Sequence, residues 1–169
     1  MEEMKKAGSL AAGSSAELGR AAAGVAVRAG APLPDISTPD ALKKTLLAAR
    51  SIAYPDPAGG GTAGVYVVNL AERLGIAEDF KKKALPQQRG FEIAAAVADG
   101  KAEVGIAFIS ELLPNKGLQV VGAIPREIGL TVSYVAGVAS TSAHGEPARA
   151  FISFLIRPSA RERFEAAGL

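Results

Sequence analysis

The chain has 169 residues, 49% of them hydrophobic, 21% charged and 5% aromatic, with a formal net charge of +2, enough apolar material for one sizeable core or two small lobes built from Ala, Val, Leu and Ile. The absence of cysteine and the single histidine, His144, exclude zinc-finger, thiol-nucleophile and redox chemistry. The one dense basic run, Lys81-Lys82-Lys83, fits a solvated helix face and not a nucleic-acid surface, and no uncharged apolar stretch approaches the ~18 residues a membrane-crossing helix needs.

The opening residues 1–8 read as the tail of a short helix stopped by Gly8, and the run after Met1 is not the apolar core of an export signal. Residues 24–29 (GVAVRA) read as a strand, followed by an extended connector through Pro32 and Pro34. A helix is well signed after it: Thr38 can cap, Pro39 suits the first helical position, and Asp40 faces the positive end of the dipole. Residues 51–54 (SIAY) predict a short buried strand. A glycine-rich stretch then leads into a helix over 63–74, capped by Thr62 and closed by Gly75. Helices are expected over 77–84 and 91–99, the second closed by Gly100, with residues 85–90 connecting them. Residues 104–109 (VGIAFI) and 118–124 (LQVVGAI) predict strands, and strands separated by helices predict parallel βαβ units. A β-type run over 130–139 precedes a helix opened by Pro147 and a last helix restarted at Pro158.

The most informative segment is Asp56-Pro57-Ala58-Gly59-Gly60-Gly61-Thr62-Ala63-Gly64, between a strand's carboxyl end and a helix start. Ligands of open α/β sheets sit at that edge. The free N–H groups of a helix start form a ready anion site, and glycines let a ligand approach the backbone. The loop lacks the Gly-Lys-Ser/Thr ending of a Walker A motif and fits the dinucleotide fingerprint only loosely. A second such junction is Arg89-Gly90-Phe91, where Arg89 offers a planar cationic fork for a carboxylate or oxyanion. The bland readings, a capped flexible turn and a surface arginine, stand beside these. Ser140, Ser142 and His144 crowd one polar turn without a nucleophile elbow or a separate acid. Asp56, Glu103 and Glu111 make no metal-ligand pattern, so neither a catalytic constellation nor a cofactor is implied.

Taken in order, residues 24–32, 34–38, 51–54, 56–57, 60–64, 72–76, 100–106 and 109–114 resemble the molybdate-binding-like extracellular solute-binding proteins of ABC importers, over essentially the whole chain. The resemblance implies an α/β, type-II periplasmic-binding-protein-like fold: two α/β lobes joined by two crossing strands, here residues 24–28 and 130–139. It places residues 1–29 and 124–169 in a first lobe and 30–123 in the second. It also implies capture of a small anion, a molybdate-like oxyanion or a small organic carboxylate, in the interlobe cleft. A membrane permease is the implied partner and the periplasm the implied location, with no enzyme activity. Ligand-gripping amides would be those of Ala63 and Gly90, beside Gly60, Gly61, Thr62 and Arg89. Phe108 stands where relatives place a ligand-binding tyrosine, a departure that favours a carboxylate over molybdate. Family members begin with further strands and helices of the first lobe, so this chain is expected to have an incomplete first lobe, with apolar surface exposed beside Phe151 and Phe154. The rival reading is a cytoplasmic ligand-sensing domain of a transcription regulator with the same architecture, although no helix-turn-helix or basic stripe is present.

Overall fold

A computed structural model describes residues 2–59 and 61–169. In chain order its elements are α1 (Glu2–Lys6), β1 (Ala16–Arg28), α2 (Pro39–Ala48), β2 (Ile52–Pro55), a 3-10 turn (Pro57–Gly59), α3 (Thr62–Arg73), α4 (Ala77–Lys83), β3 (Ala84–Gln87), α5 (Gly90–Ala98), β4 (Val104–Phe108), α6 (Ile109–Leu112), β5 (Leu118–Ala123), β6 (Thr131–Ala136), α7 (Gly145–Leu155) and α8 (Pro158–Ala166). The sheet order is β3-β2-β4-β1-β5, with β6 also paired to β1. By contacts the chain divides into two compact units, one of residues 22–131 and one of 1–21 with 132–169, so both divisions fall within or beside β1 and β6.

In the unit of residues 22–131, β2 pairs in parallel with β3 and β4, as the strand–helix alternation predicts. Strand β1, which no helix separates from a parallel neighbour, runs antiparallel to both β4 and β5. Strand alternation sorts side chains by size. Val25, Val27, Ile52, Tyr54, Val104 and Ile106 face one core with Leu42, Leu46, Val67, Leu70 and Phe80 from α2, α3 and α4. Ala26, Ala53 and Ala107 face a second core with Ile93, Ala94 and Val97 of α5 and Leu112 of α6. The small residues on that face let α5 lie close: a Cβ on Gly105 would come within 2.8 Å of Val97 Cγ2 and 3.2 Å of Ile93 Cγ2.

Local signals place most helix ends. Thr38 Oγ1 accepts a hydrogen bond from Ala41 N at 3.1 Å, as expected of the α2 cap. Gly75 and Gly100 follow α3 and α5 at φ +67° and +75°, the left-handed turn that glycine makes without Cβ strain. Lys83 does more than sit on a solvated face. Its Nζ donates to the carbonyls of Leu46, Leu47 and Ala49 at 3.0, 2.7 and 2.9 Å and so closes the end of α2. Tyr66 OH donates to Ile128 O at 2.9 Å, and burial pushes its pKa up to about 12.

Several boundaries differ from expectation. Strand β1 starts at Ala16, eight residues before the apolar run, because pairing overrides the weak strand preference of its Ala/Gly-rich half. Residues 84–87, expected to be helix end and connector, form β3; Pro86 is tolerated because β3 is an edge strand. Strand β4 stops at Phe108, and the four-residue α6 begins at Ile109. Helix α7 begins at Gly145 rather than at Pro147, which sits in its first turn.

In the unit of residues 1–21 and 132–169, an isolated bridge joins Leu10 to Ala139, and buried Ser14 donates to Ala11 O at 2.6 Å while accepting from Val138 N at 3.1 Å. A Cβ on Gly19 would lie 2.9 Å from Leu169 Cβ, so the last residue rests on β1. Neither α7 nor α8 has a buried residue; Phe151 and Phe154 are 59% and 51% exposed. Among the described residues no helix is long and apolar enough to cross a membrane.

The packing of α5 gives a first expected outcome. Gly105→Val adds bulk where a single Cβ already crowds Val97, and should cost about 1–3 kcal/mol in urea unfolding. A second concerns acid. Glu103 Oε2 accepts from the backbone N–H of Arg50 at 2.7 Å, and that bond, reinforced by the Arg50 charge, holds its pKa below the usual value of 4.5 against the opposing effect of burial. Its stabilising contribution is therefore complete above about pH 4.5 and fades as pH falls through the lowered folded value. Glu103→Gln should flatten the loss of stability below that pH, measured as the urea midpoint across an acid series.

Candidate functional site

The carboxyl ends of the parallel strands β2, β3 and β4 lead into α3, α5 and α6, respectively, the edge at which open α/β sheets hold ligands. At the first of these, Gly60 lies outside the described residues. Gly61 is the N-cap of α3, without a side-chain hydrogen bond. Thr62 is the first helical residue and not the expected cap, because the chain enters the helix one position earlier. Gly61 and Thr62 are exposed and Ala63 is half-buried. Gly64 is buried, and a Cβ there would lie 2.7 Å from Pro55 O and from Pro57 N, so its lack of a side chain seats α3 on the end of β2. The first N–H groups of a helix have no partner within it. No acidic residue occupies the first turn of α3, so its positive end is uncompensated locally.

The other two helix starts carry carboxylates of their own. Arg89 is the N-cap of α5, and Glu92 Oε2 accepts from Gln88 N at 3.1 Å and Arg89 N at 3.2 Å. Gly90 opens the helix under Glu111: a Cβ on Gly90 would lie 2.7 Å from Glu111 Cβ and nearer still to its carboxyl group. Glu111 Oε2 also accepts from Phe108 N at 3.3 Å. Phe108 is the half-buried last residue of β4 and the N-cap of α6.

Arg89 is exposed, with its guanidinium carbon 5.8 Å from the centroid of the Phe91 ring. Among the described residues it takes part in no ion pair. The lead-in to α3 and the lead-in to α5 are joined directly. Asp56 N donates to Gln87 O at 2.8 Å, Gln88 Nε2 donates to Asp56 Oδ2 at 2.7 Å, and Ala58 N donates to Asp56 Oδ1 at 2.9 Å. The structure thus brings residues 61–63 and 89–90 to one edge, and couples Phe108 to Gly90 through Glu111. Asp56, Gln88, Glu92 and Glu111 were not singled out for this role by the sequence reading. Glutamate three residues after each N-cap, at Arg89–Glu92 and Phe108–Glu111, was the available signal. In the other unit, Ser142 Oγ accepts from His144 N at 3.2 Å in the turn that precedes α7.

The model of the bacterial extracellular solute-binding protein family matches residues 1–169. The chain belongs to that family. This solute-binding family member is 36% identical over 172 residues to an aconitate isomerase of Pseudomonas sp., an alignment covering all of the chain and 63% of that relative. It is 29% identical over 107 residues to the molybdate-binding protein ModA of Escherichia coli K12, covering 63% of the chain and 41% of the relative. The chain therefore spans less than two thirds of the length of these curated relatives. A substrate-binding domain assigned to a molybdenum ABC transporter of Clostridium difficile shares the fold at a TM-score of 0.82 and 21% identity, over 99% of this chain and 71% of that one. The neighbouring folds are type-II periplasmic binding proteins, in agreement with the α/β class read from the sequence.

Gly90 and Glu111 give this solute-binding chain a testable contact. Gly90→Ala should destabilise by about 1–3 kcal/mol through overlap with Glu111. The Gly90→Ala, Glu111→Ala double variant should be less destabilised than the sum of the singles in a urea-unfolding cycle. Strict additivity would mean that the two residues do not touch.

Proposed function

We propose that this chain supplies the anion-gripping amides of a solute-binding protein for a small, multiply charged carboxylate. The observation that carries the reading is the start of α3, an uncapped helix N-terminus with no acidic residue in its first turn, at the edge shared with Arg89, which takes part in no ion pair among the described residues. The backbone N–H groups of Thr62 and Ala63 would take one carboxylate, with Gly61 giving it access and Gly60 belonging to the same loop. Arg89 would take a second carboxylate through its planar fork, beside the N–H of Gly90. Phe108 contributes an apolar wall in place of a hydroxyl donor, which supports a carboxylate over a tetrahedral oxyanion. The 36% identity to a protein named for aconitate supports a tricarboxylate as the ligand to test, and molybdate is the comparator named by other relatives. In this reading the partner is the membrane permease of an ABC importer and the compartment is the periplasm.

A second reading, an isomerase acting on such an acid, is favoured by that same relative. It requires a base that lifts a proton from one carbon and returns it to another. The edge carboxylates Asp56, Glu92 and Glu111 each accept a backbone N–H, a binding and capping role in the first reading.

Calorimetric titration with cis-aconitate, trans-aconitate, citrate and molybdate tests the proposal. Binding of a tricarboxylate more tightly than molybdate is expected, with Arg89→Ala weakening it by about 1.5–3 kcal/mol, or roughly ten- to a hundredfold. Molybdate binding at least as tight as the carboxylates would reverse the ligand assignment. Sustained conversion of cis- to trans-aconitate over many turnovers, followed by proton NMR, would establish the isomerase instead.

A further inference from the structure

We infer that Gln88 is a positioning residue for this anion site, acting through Asp56 to set where the amides of the α3 start stand relative to those of the α5 start; the inference rests on the anion-binding reading above. Asp56 is the first residue beyond β2, and every hydrogen-bonding group it offers is used between the two lead-ins or within the turn. Its N–H donates across to Gln87 O, Oδ1 holds the turn through Ala58 N, and Oδ2 receives the Gln88 amide at 2.7 Å. The Gln88 side chain runs under the same turn, with its Oε1 3.5 Å from where a Cβ on Gly59 would be. Two residues beyond that glycine the chain reaches Gly61, the N-cap of α3.

The backbone of Gln88 is tied in the other direction. Its N–H, with that of Arg89, is held by Glu92 of α5. One residue is thus attached through its backbone to the start of α5 and through its side chain to the turn that leads into α3. The rest of the α3 lead-in is rich in glycine, which resists displacement poorly. Without the Gln88 amide, the hydrogen bond left between the two lead-ins among the described residues is that from Asp56 N to Gln87 O, at the end of the β2–β3 pairing. Gln88 is exposed and the bond lies at the surface, so its loss should disturb geometry at the edge far more than global stability.

The test uses the full chain, cis- and trans-aconitate as probes, and two variants. Gln88→Leu removes the donor and should weaken binding at least fivefold with a thermal midpoint close to that of the parent. It should also move the backbone amide resonances of Thr62 and Ala63 in the ligand-free protein. Gln88→Glu sets carboxylate against carboxylate near neutral pH. Its Thr62 and Ala63 resonances should be displaced at pH 7.5 and return toward the parent's at pH 4.5, where a shared proton restores the bond. A purely structural role would not show that pH-dependent recovery. Parent-like resonances for Thr62 and Ala63 in Gln88→Leu, or parent-like affinity in that variant, would overturn the positioning role. If the parent itself binds none of cis-aconitate, trans-aconitate, citrate and molybdate, the anion reading fails, and the binding role of Gln88 with it, even where the resonances show that Gln88 shapes the loop.

Discussion

The close seat of α5 on the small-residue face of the sheet is the constraint on which the rest of the larger unit depends. Ala26, Ala53, Gly105 and Ala107 present little more than backbone on that face, and Ile93 and Val97 fill the space a larger residue would take. Close packing tolerates no added methylene there. The opposite face carries Val, Ile and Tyr, and it holds three helices, α2, α3 and α4, at the distance those side chains set. Because β2 runs parallel to both β3 and β4, the starts of α3, α5 and α6 fall on one edge.

At that edge the three helix starts are electrostatically unequal, and the inequality gives the edge its chemistry. Glu92 and Glu111 satisfy backbone donors at α5 and α6, and Asp56 satisfies one in the turn ahead of α3. Each supplies from within the chain the negative charge that a helix start attracts. The start of α3 lacks such a group. An edge already holding three carboxylates would repel a second anion unless its cationic and amide groups were concentrated, which is why Arg89 and the linkage between the two lead-ins carry so much of the proposed recognition.

Most of the helices and five of the six described strands were legible because their signals are local: the Thr38 cap with Pro39 behind it, the glycines after α3 and α5, and the short apolar strand runs. Boundary errors fell where a partner decides. The N-terminal half of β1 reads AELGRAAA, with no strand preference of its own, and becomes strand through pairing. β3 contains Pro86, which argues against a strand unless the chain lies at an edge. Thr62 looked like a cap, yet the helix had already begun at that residue, since a hydroxyl beside a glycine run does not say which residue leaves the extended conformation.

The sequence by itself determined the α/β class and two helix starts led by glycine or arginine, because each rests on residue types at short spacing, and it determined the family through the order of matching segments along the whole chain. Only the tertiary structure decided the antiparallel course of β1, the use of Lys83 as a cap for α2, the overlap of Gly90 with Glu111, and the bond from Gln88 to Asp56. Those facts join residues 21 to 85 positions apart, and no local preference encodes the distance between two side chains that meet only when the sheet has brought their strands together.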